Sequence, residues 1–130
     1  MKKILAFLLI SFFLISCQKN KQPSIVGVWK EIEIYMKDSN GNYSWNKVLH
    51  GYTYFLSLKD DGTYSGFQCT TLGRGVYQYD HTTREIRMQD ISSGTTDTYT
   101  VSTLDEDYLI LNHGMTSMGE FRVKFIRNQY

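Results

Sequence analysis

The residues of this chain that could carry chemistry are few and widely spaced. The sequence contains two cysteines, Cys17 and Cys69, and three histidines, His50, His81 and His113. No two of these histidines have the short spacing of a zinc-ligand pair, and neither a Gly-rich phosphate loop nor a serine nucleophile elbow occurs. The acidic runs KDD and DED are too short for the alternating oxygen ligands of a calcium loop. We therefore expect surface histidines, solvated acidic turns, no metal, no cofactor and no enzymatic activity.

Cys17 stands at the end of an N-terminal apolar run. Lys2 and Lys3 form a basic start, and the apolar block of residues 4–15 is interrupted by one serine. A transmembrane helix needs about 20 apolar residues, whereas a signal peptide has an apolar region of about 7–15 residues. The pattern therefore predicts that residues 1–16 are a signal peptide, which is cleaved from the mature protein.

The letters LISC, residues 14–17, resemble the lipobox of bacterial lipoproteins. In that motif an aliphatic, a variable and a small residue precede a cysteine whose sulfur takes a diacylglyceryl group. The resemblance implies that Cys17 is the lipidated first residue of the mature protein. Two or more acyl chains, each contributing about 0.8 kcal/mol per buried CH₂, make a stable membrane anchor. Residues 17–24 are then the lipidated cysteine and a polar tether, and the predicted location is the bacterial cell envelope, with the outer membrane favoured.

Charge and cysteine count exclude further classes of function. The chain has 14 basic and 13 acidic residues and a net charge of +1, and loss of Lys2 and Lys3 with the signal peptide lowers that charge to about −1. A nucleic-acid-binding domain needs a strong basic bias, so no nucleic-acid partner is expected. With Cys17 lipidated, Cys69 has no partner for an intrachain disulfide, and we expect it to be a small buried apolar residue.

Residues 25–130 are predicted to form one all-β domain. Ten tyrosines, ten glycines and a single proline favour sheet over helix. About eight or nine strand-like runs alternate with turn sequences such as KDDG and DED, and no long run has a helical period. Short connections between consecutive strands favour a small up-and-down antiparallel β-barrel of about eight strands.

Alternation within the strands predicts which side chains point inward. In EFRVKFIRN, for example, apolar residues alternate with charged ones. An eight-stranded barrel is either filled by its inward side chains or holds one small ligand, and the sequence leaves both interpretations open. The candidate interior residues are Trp29, Tyr54, Leu56, Tyr77, Tyr79, Met88, Tyr99, Val101, Leu109, Leu111, Phe121, Val123 and Phe125.

The first strand, IVGVWKEIEIYM, breaks this alternation. Trp29 shares its parity with Glu31 and Glu33, whereas Ile32 and Ile34 have the opposite parity. A buried charge without a partner is costly, so we expect both glutamates to point outward. Trp29, Ile32 and Ile34 are expected inside, with a bulge or a sharp bend near Lys30 that changes the phase of the strand.

The order of the motifs resembles the lipocalins and their calycin relatives, in particular the small bacterial lipocalin-like domain. IVGVWK supplies a Gly-x-Trp opening at Gly27 and Trp29, and LKDDGTY, GVYQYD and LDEDYLIL follow in the expected order. The resemblance covers about residues 25–127. It implies a barrel whose closed end is plugged by Trp29 and covered by a basic residue, Arg122 or Arg127, through a cation–π contact.

Two functions are compatible with these features. The first is a lipid-anchored module that binds a small apolar or amphipathic molecule inside the barrel. The second is a non-enzymatic protein-interaction or inhibitor module of the cell envelope with a filled barrel. The second is motivated by HGMTSMG, a predicted loop in which Met115 and Met118 would form an adaptable contact surface.

Overall fold

The computed structural model describes residues 22–49, 53–66, 73–117 and 119–129, which contain strands and turns and no helix. The predicted all-β class is therefore confirmed. The signal peptide, Cys17, Cys69 and His50 lie outside the described residues. Within the described ranges, no helix is long and apolar enough to span a membrane. The strands are β1 (Gly27–Lys37), β2 (Tyr43–Lys47), β3 (Phe55–Leu58), β4 (Thr63–Gly66), β5 (Arg74–Asp80), β6 (Glu85–Asp90), β7 (Thr96–Leu104), β8 (Tyr108–Thr116) and β9 (Gly119–Arg127).

The strands form a closed up-and-down antiparallel barrel, as predicted. From β3 to β9 each strand pairs with the next, and β9 pairs with β1 to close the sheet. On its other edge β1 has two partners, because Gly27–Lys30 pair with β3 and Glu33–Lys37 pair with β2. Eight strands therefore make the barrel wall, and β2 is an extra strand that extends it beside the second half of β1.

A bulge in β1 is present, but it lies after Glu31 and not near Lys30 as the sequence predicts. The register between β1 and β9 shifts between Glu31 and Glu33. Before the shift Trp29 faces the interior and is completely buried, and after it Ile34 lies opposite the buried Val123. Ile32, which the sequence predicts to lie inside, is the extra residue of the bulge and is half-buried.

The two glutamates of β1 point in opposite directions, so their predicted orientation is half wrong. Glu31 lies opposite Phe125 and is 2 % exposed, inside the barrel. Glu33 is outside, where its carboxylate pairs with the Lys124 ammonium at 3.0 Å. The reason is that the bulge comes after Glu31, so this residue keeps the inward parity of Trp29.

The two ends of the barrel are built from different connections. The closed end contains the start of β1 and the turns at residues 59–62, 81–84 and 105–107. The mouth contains the turns at residues 38–42 and 91–95 and the β8–β9 hairpin. Because consecutive strands are antiparallel, connections alternate between the two ends.

The segment HGMTSMG is not the long loop that the sequence predicts. β8 continues to Thr116 and β9 begins at Gly119, so the two strands form a tight hairpin at the mouth. Met115 lies on β8 and is 80 % exposed, and Met118 lies outside the described residues. The ladder continues because a bulge between Asn112 and Gly114 absorbs the irregular spacing of this sequence.

Candidate functional site

Trp29 and Arg127 seal the closed end of the barrel. The Trp29 indole Nε1 donates a hydrogen bond to the Ile25 carbonyl at 2.9 Å. The Arg127 guanidinium lies over the indole, 4.1 Å from its centre. A Cβ atom at Gly27 would lie 2.5 Å from the Arg127 Nη1 atom, so only glycine permits this close approach. The expected cation–π cover of Trp29 is therefore present, and it is Arg127 that provides it.

Arg127 also connects the closed end to the residues that precede β1. Its guanidinium donates to the Ser24 and Val26 carbonyls at 2.7 and 2.9 Å and to the Glu106 carbonyl at 2.7 Å. Arg122, the other candidate, lies on the outer face, with its guanidinium 5.0 Å from the centre of the Tyr35 ring. The Trp29 and Arg127 donors are thus used within the fold, where they hold the closed end together.

All of the predicted interior residues except Tyr54 belong to one packed core cluster or lie against it. Tyr54 and Phe121 are half-buried, and so are Tyr77 and Tyr79. The last two belong to the closed end, because the Tyr77 hydroxyl donates to the Lys59 carbonyl at 2.7 Å and the Tyr79 ring contacts His81. The other nine are at most 1 % exposed: Trp29, Leu56, Met88, Tyr99, Val101, Leu109, Leu111, Val123 and Phe125.

A group of polar side chains faces the interior near the mouth. The His113 Nε2 atom lies 3.7 Å from the Asp97 carboxylate. The side chain of His113 is 27 % exposed and that of Asp97 is 32 % exposed. The His113 ring also packs edge-on against Tyr99, with 4.8 Å between ring centres. The sequence predicts a surface position for His113. It turns inward instead because it shares the parity of the buried Leu109 and Leu111 on β8, up to the bulge between Asn112 and Gly114.

Tyr64 is the buried member of this polar group. It is 2 % exposed, and its hydroxyl has no hydrogen-bond partner among the described residues. Its ring covers Gly75, where an added Cβ would lie 2.8 Å from the Tyr64 Cε1 atom. Burial raises the pKa of Tyr64, and the negative charges of Asp90 and Asp97 raise it further, so the hydroxyl stays protonated.

Asp90 adds a fixed negative charge beside Tyr64. Its Oδ1 atom accepts hydrogen bonds from the Ser92 and Ser93 backbone amides, both at 2.8 Å, and from both serine hydroxyls. The Gly73 amide donates to its Oδ2 atom. These hydrogen bonds hold the pKa of Asp90 far below its ordinary value. The carboxylate therefore shapes the β6–β7 turn and remains ionised near the mouth.

Apolar side chains on β1 and β9 also lie at the mouth. Ile34 and Met36 share the inward parity of β1 beyond its bulge, and Phe121 lies on the neighbouring strand β9. Met36 is 45 % exposed, and Ile34 and Phe121 are half-buried. The mouth thus combines an apolar wall with a polar wall formed by Tyr64, Asp97 and His113.

The described residues around this polar group were compared with the arrangements of metal and catalytic sites. Among the described residues, no group of three or more His, Cys, Asp or Glu side chains has the geometry of a metal site. The His113 Nδ1 atom has no hydrogen-bond partner in the part of the chain that the structure describes, so no described hydroxyl or thiol nucleophile lies against it. The Asp97–His113 pair therefore lacks the third member that nucleophilic catalysis needs.

In comparisons with known proteins, no model of a protein family matches the chain, and no curated protein matches it.

Proposed function

We propose that this protein is a lipocalin-like module, anchored on the bacterial cell envelope, that binds a small apolar or amphipathic molecule in the mouth of its barrel. The observation that carries the proposal is the contrast within the mouth. Ile34, Met36 and Phe121 supply apolar surface, while Tyr64 and His113 hold polar atoms that have no hydrogen-bond partner among the described residues. Concave sites with apolar walls and a few polar groups are typical of small-molecule binding.

The closed end supports the lipocalin-like part of this proposal. Gly27, Trp29 and Arg127 occupy the relative positions that the resemblance implies, with the guanidinium 4.1 Å from the indole centre. The strands follow one another around the barrel in sequence order. These features are structural, so they support the type of barrel and carry no information about the ligand.

The anchor proposal has a geometric consequence for the mouth. Ser24 is held at the closed end through its carbonyl, which accepts a hydrogen bond from Arg127 at 2.7 Å. Residues 18–24 can span at most about 25 Å, so a lipid on Cys17 attaches the barrel to the membrane near its closed end. The mouth then points away from the anchoring membrane and is open to the aqueous side.

Binding is tested with a fluorescent apolar probe, N-phenyl-1-naphthylamine, and the full-length protein in lipid nanodiscs. The signal is corrected with empty nanodiscs. We expect saturable binding that is abolished by Ile34→Trp, because the indole would fill the mouth. The matched control is Val76→Trp on the outer face of β5, where Val76 is 45 % exposed, and it should bind normally. Equal binding by both variants, or no binding by the unmodified protein, would contradict the proposal.

The anchor is tested with Cys17→Ser. We expect the unmodified protein to stay with the membrane fraction after a carbonate wash and the variant to be released, because the variant cannot take a diacylglyceryl group. Mass spectrometry of the unmodified protein should show acyl chains on Cys17. A variant that remains with the washed membranes would refute the lipid anchor and leave the barrel proposal untouched.

A protein-interaction module remains the second candidate, because the β1–β2 hairpin carries an aromatic cluster on its outer face. The Tyr35 ring centre lies 5.6 Å from that of Tyr43 and 5.4 Å from that of Trp45, which is 39 % exposed. Exposed Trp, Tyr and Arg side chains are frequent at interface hot spots. If this surface binds a protein, Trp45→Ala should abolish cross-linking of that protein in intact cells, and Val76→Ala should not.

A further inference from the structure

We propose that the mouth selects ligands that carry a primary ammonium group on an apolar body, and that Asp97, His113 and Tyr64 bind this group. This preference deepens the proposed binding function and rests on it. It names the chemical class of the head group, which the shape of the barrel leaves open. It is supported by the distribution of charge, by two unpartnered polar atoms in the described residues and by the position of the apolar wall.

The charges that face the interior are negative. Glu31, Asp90 and Asp97 all occupy inward positions, and Glu31 and Asp90 are 2 % and 4 % exposed. The one lysine or arginine at an inward position in the described strands is Arg127, whose guanidinium is bonded at the closed end. The other basic residues of these strands lie on the outer face: Lys30, Lys37, Lys47, Arg74, Arg87, Arg122 and Lys124.

This distribution disfavours an anionic ligand. A fatty acid or another carboxylate would enter a barrel whose described inward positions carry three carboxylates and, at the mouth, neither lysine nor arginine. Like charges at short range repel each other strongly where water is excluded. A cationic head group, in contrast, would be attracted to Asp97 and would offset the charge of the nearby Asp90.

The polar atoms of the site are acceptors, which match a donor-rich head group. The His113 Nε2 atom faces the Asp97 carboxylate at 3.7 Å. A neutral imidazole has one N–H and one acceptor nitrogen, and electrostatic attraction favours the N–H on the side of the carboxylate. The buried Nδ1 atom, which has no partner among the described residues, is then an acceptor. The Tyr64 hydroxyl and the Asp97 carboxylate can accept as well. An ammonium carries three donors and no acceptor, so it can satisfy this set.

The burial of Tyr64 indicates that an occupant supplies its partner. A buried hydroxyl without a hydrogen bond is costly, yet Tyr64 is 2 % exposed and its hydroxyl is unsatisfied within the described residues. Its ring lies where Gly75 leaves room for it, so this orientation is supported by packing. Asp97 and His113 remain partly exposed and give the head group access to the site.

The apolar body of the ligand has a defined place beside the head group. Phe121 lies opposite Gly114 in the β8–β9 ladder, one residue from His113. Ile34 and Met36 continue the apolar surface along β1. A short alkyl or aryl group attached to the ammonium would cover the exposed surface of Met36 and the half-buried ring of Phe121.

The test compares three ligands with the same chain and different head groups: octylamine, octanol and octanoate. Each displaces N-phenyl-1-naphthylamine from the full-length protein in nanodiscs, with empty nanodiscs as the blank. We expect octylamine to bind about tenfold more tightly than octanol, since a hydrogen bond to a charged group is stronger than a neutral one. Octanoate should bind most weakly.

Two variants test whether Asp97 and Tyr64 are responsible for the ammonium preference. Asp97→Asn should weaken octylamine about tenfold and leave octanol unchanged, because it removes only the charge. Tyr64→Phe should weaken octylamine a few-fold without lowering the melting temperature, because its hydroxyl has no partner among the described residues to lose. The matched control is Asp60→Asn, which removes an exposed carboxylate at the closed end and should change neither ligand.

The outcomes separate the ammonium preference from the binding function itself. Octanoate binding as tightly as octylamine, or an Asp97→Asn variant that weakens all three ligands equally, would overturn the ammonium preference and leave a binding module. Failure of the probe to bind at all would overturn both proposals. If Asp97→Asn unfolds, Tyr64→Phe decides, because unchanged octylamine affinity in that variant contradicts the site.

Discussion

The closed end and the mouth of this barrel differ in whether their buried polar groups are hydrogen-bonded. At the closed end the Trp29 indole, the Arg127 guanidinium and the Tyr77 hydroxyl all donate to backbone carbonyls. At the mouth the Tyr64 hydroxyl and the His113 Nδ1 atom have no partner among the described residues. Both ends belong to one continuous sheet and share one core.

This contrast indicates that polar groups stabilise the fold at the closed end and lower its stability at the proposed binding site. A satisfied buried hydrogen bond contributes about 0.5–1.5 kcal/mol, whereas an unsatisfied buried group costs about 1–3 kcal/mol. Tyr64 and His113 therefore lower stability as long as the mouth is empty. Departures from full polar satisfaction are expected at functional sites, and substitutions at the two ends should have different consequences.

The largest difference should appear when a large side chain is removed from each end. Trp29→Ala is expected to lower the free energy of unfolding by about 3–5 kcal/mol, since it leaves a cavity where a buried indole plugged the barrel. Phe121→Ala, at the half-buried mouth, should cost less than half as much. Urea denaturation of the full-length protein measures both values. Equal losses would remove the distinction between a stabilising closed end and an open mouth.

Substitution of Arg127 should cause the next largest loss of unfolding free energy. Arg127→Met keeps much of the side-chain stem but removes the guanidinium that donates to Ser24, Val26 and Glu106 and covers Trp29. We expect a loss of about 1–3 kcal/mol. Arg87→Met on the exposed outer face is the matched control and should change stability by less than about 0.5 kcal/mol. Trp29 fluorescence should also shift in the first variant, and an unaltered spectrum and stability would argue against the seal.

The same substitution, tyrosine to phenylalanine, can be compared at the two ends of the barrel. Tyr77→Phe removes a hydroxyl that donates to the Lys59 carbonyl at 2.7 Å and should cost about 0.5–1.5 kcal/mol. Tyr64→Phe removes a hydroxyl without a partner among the described residues and should be neutral or slightly stabilising. Thermal unfolding of both variants under one condition gives the difference. A larger loss for Tyr64→Phe would show that its hydroxyl is satisfied in the folded protein.

The smallest expected effect is a change in how stability depends on pH in acid, and it comes from Asp90. Hydrogen bonds from the Ser92 and Ser93 hydroxyls and amides lower the pKa of Asp90 well below its ordinary value of 3.8. The unfolded chain therefore takes up a proton more readily than the folded one. The stabilisation by Asp90 is complete above about pH 4 and is lost as the pH falls further.

Asp90→Asn should accordingly flatten the decline of the melting temperature between about pH 4 and pH 2. Asp80, in the β5–β6 turn at the closed end, also has a lowered pKa because of amide hydrogen bonds from Thr82 and Thr83. Its smaller set of hydrogen bonds predicts a weaker flattening in Asp80→Asn. If both variants reduce the acid-induced fall of the melting temperature equally, the expected difference between Asp90 and Asp80 is wrong.

Much of the barrel could be predicted from local patterns. The inward positions of Val123 and Phe125 followed from alternation in β9, and the strand boundaries followed from turn sequences such as KDDG. The polar wall of the mouth was missed, although Asp97 shares its parity with Tyr99 and Tyr64 alternates with Thr63 and Ser65. These signals were present but weak, because polar residues on both faces of a strand do not show which face is buried.

Local patterns in the sequence were enough to determine the all-β class and the order of the strands, because hydrophobic alternation and turn composition are local properties of the chain. The plug at Trp29 was implied by the resemblance of the Gly-x-Trp opening to that of the lipocalins. Only the tertiary structure decided that Glu31 turns inward, that Arg127 covers Trp29, and that the Tyr77 hydroxyl donates a hydrogen bond at the closed end. Each of these depends on a bulge or on a contact between distant residues. A bulge changes the direction of a side chain without any local mark in the sequence, since its position is set by pairing with the neighbouring strand.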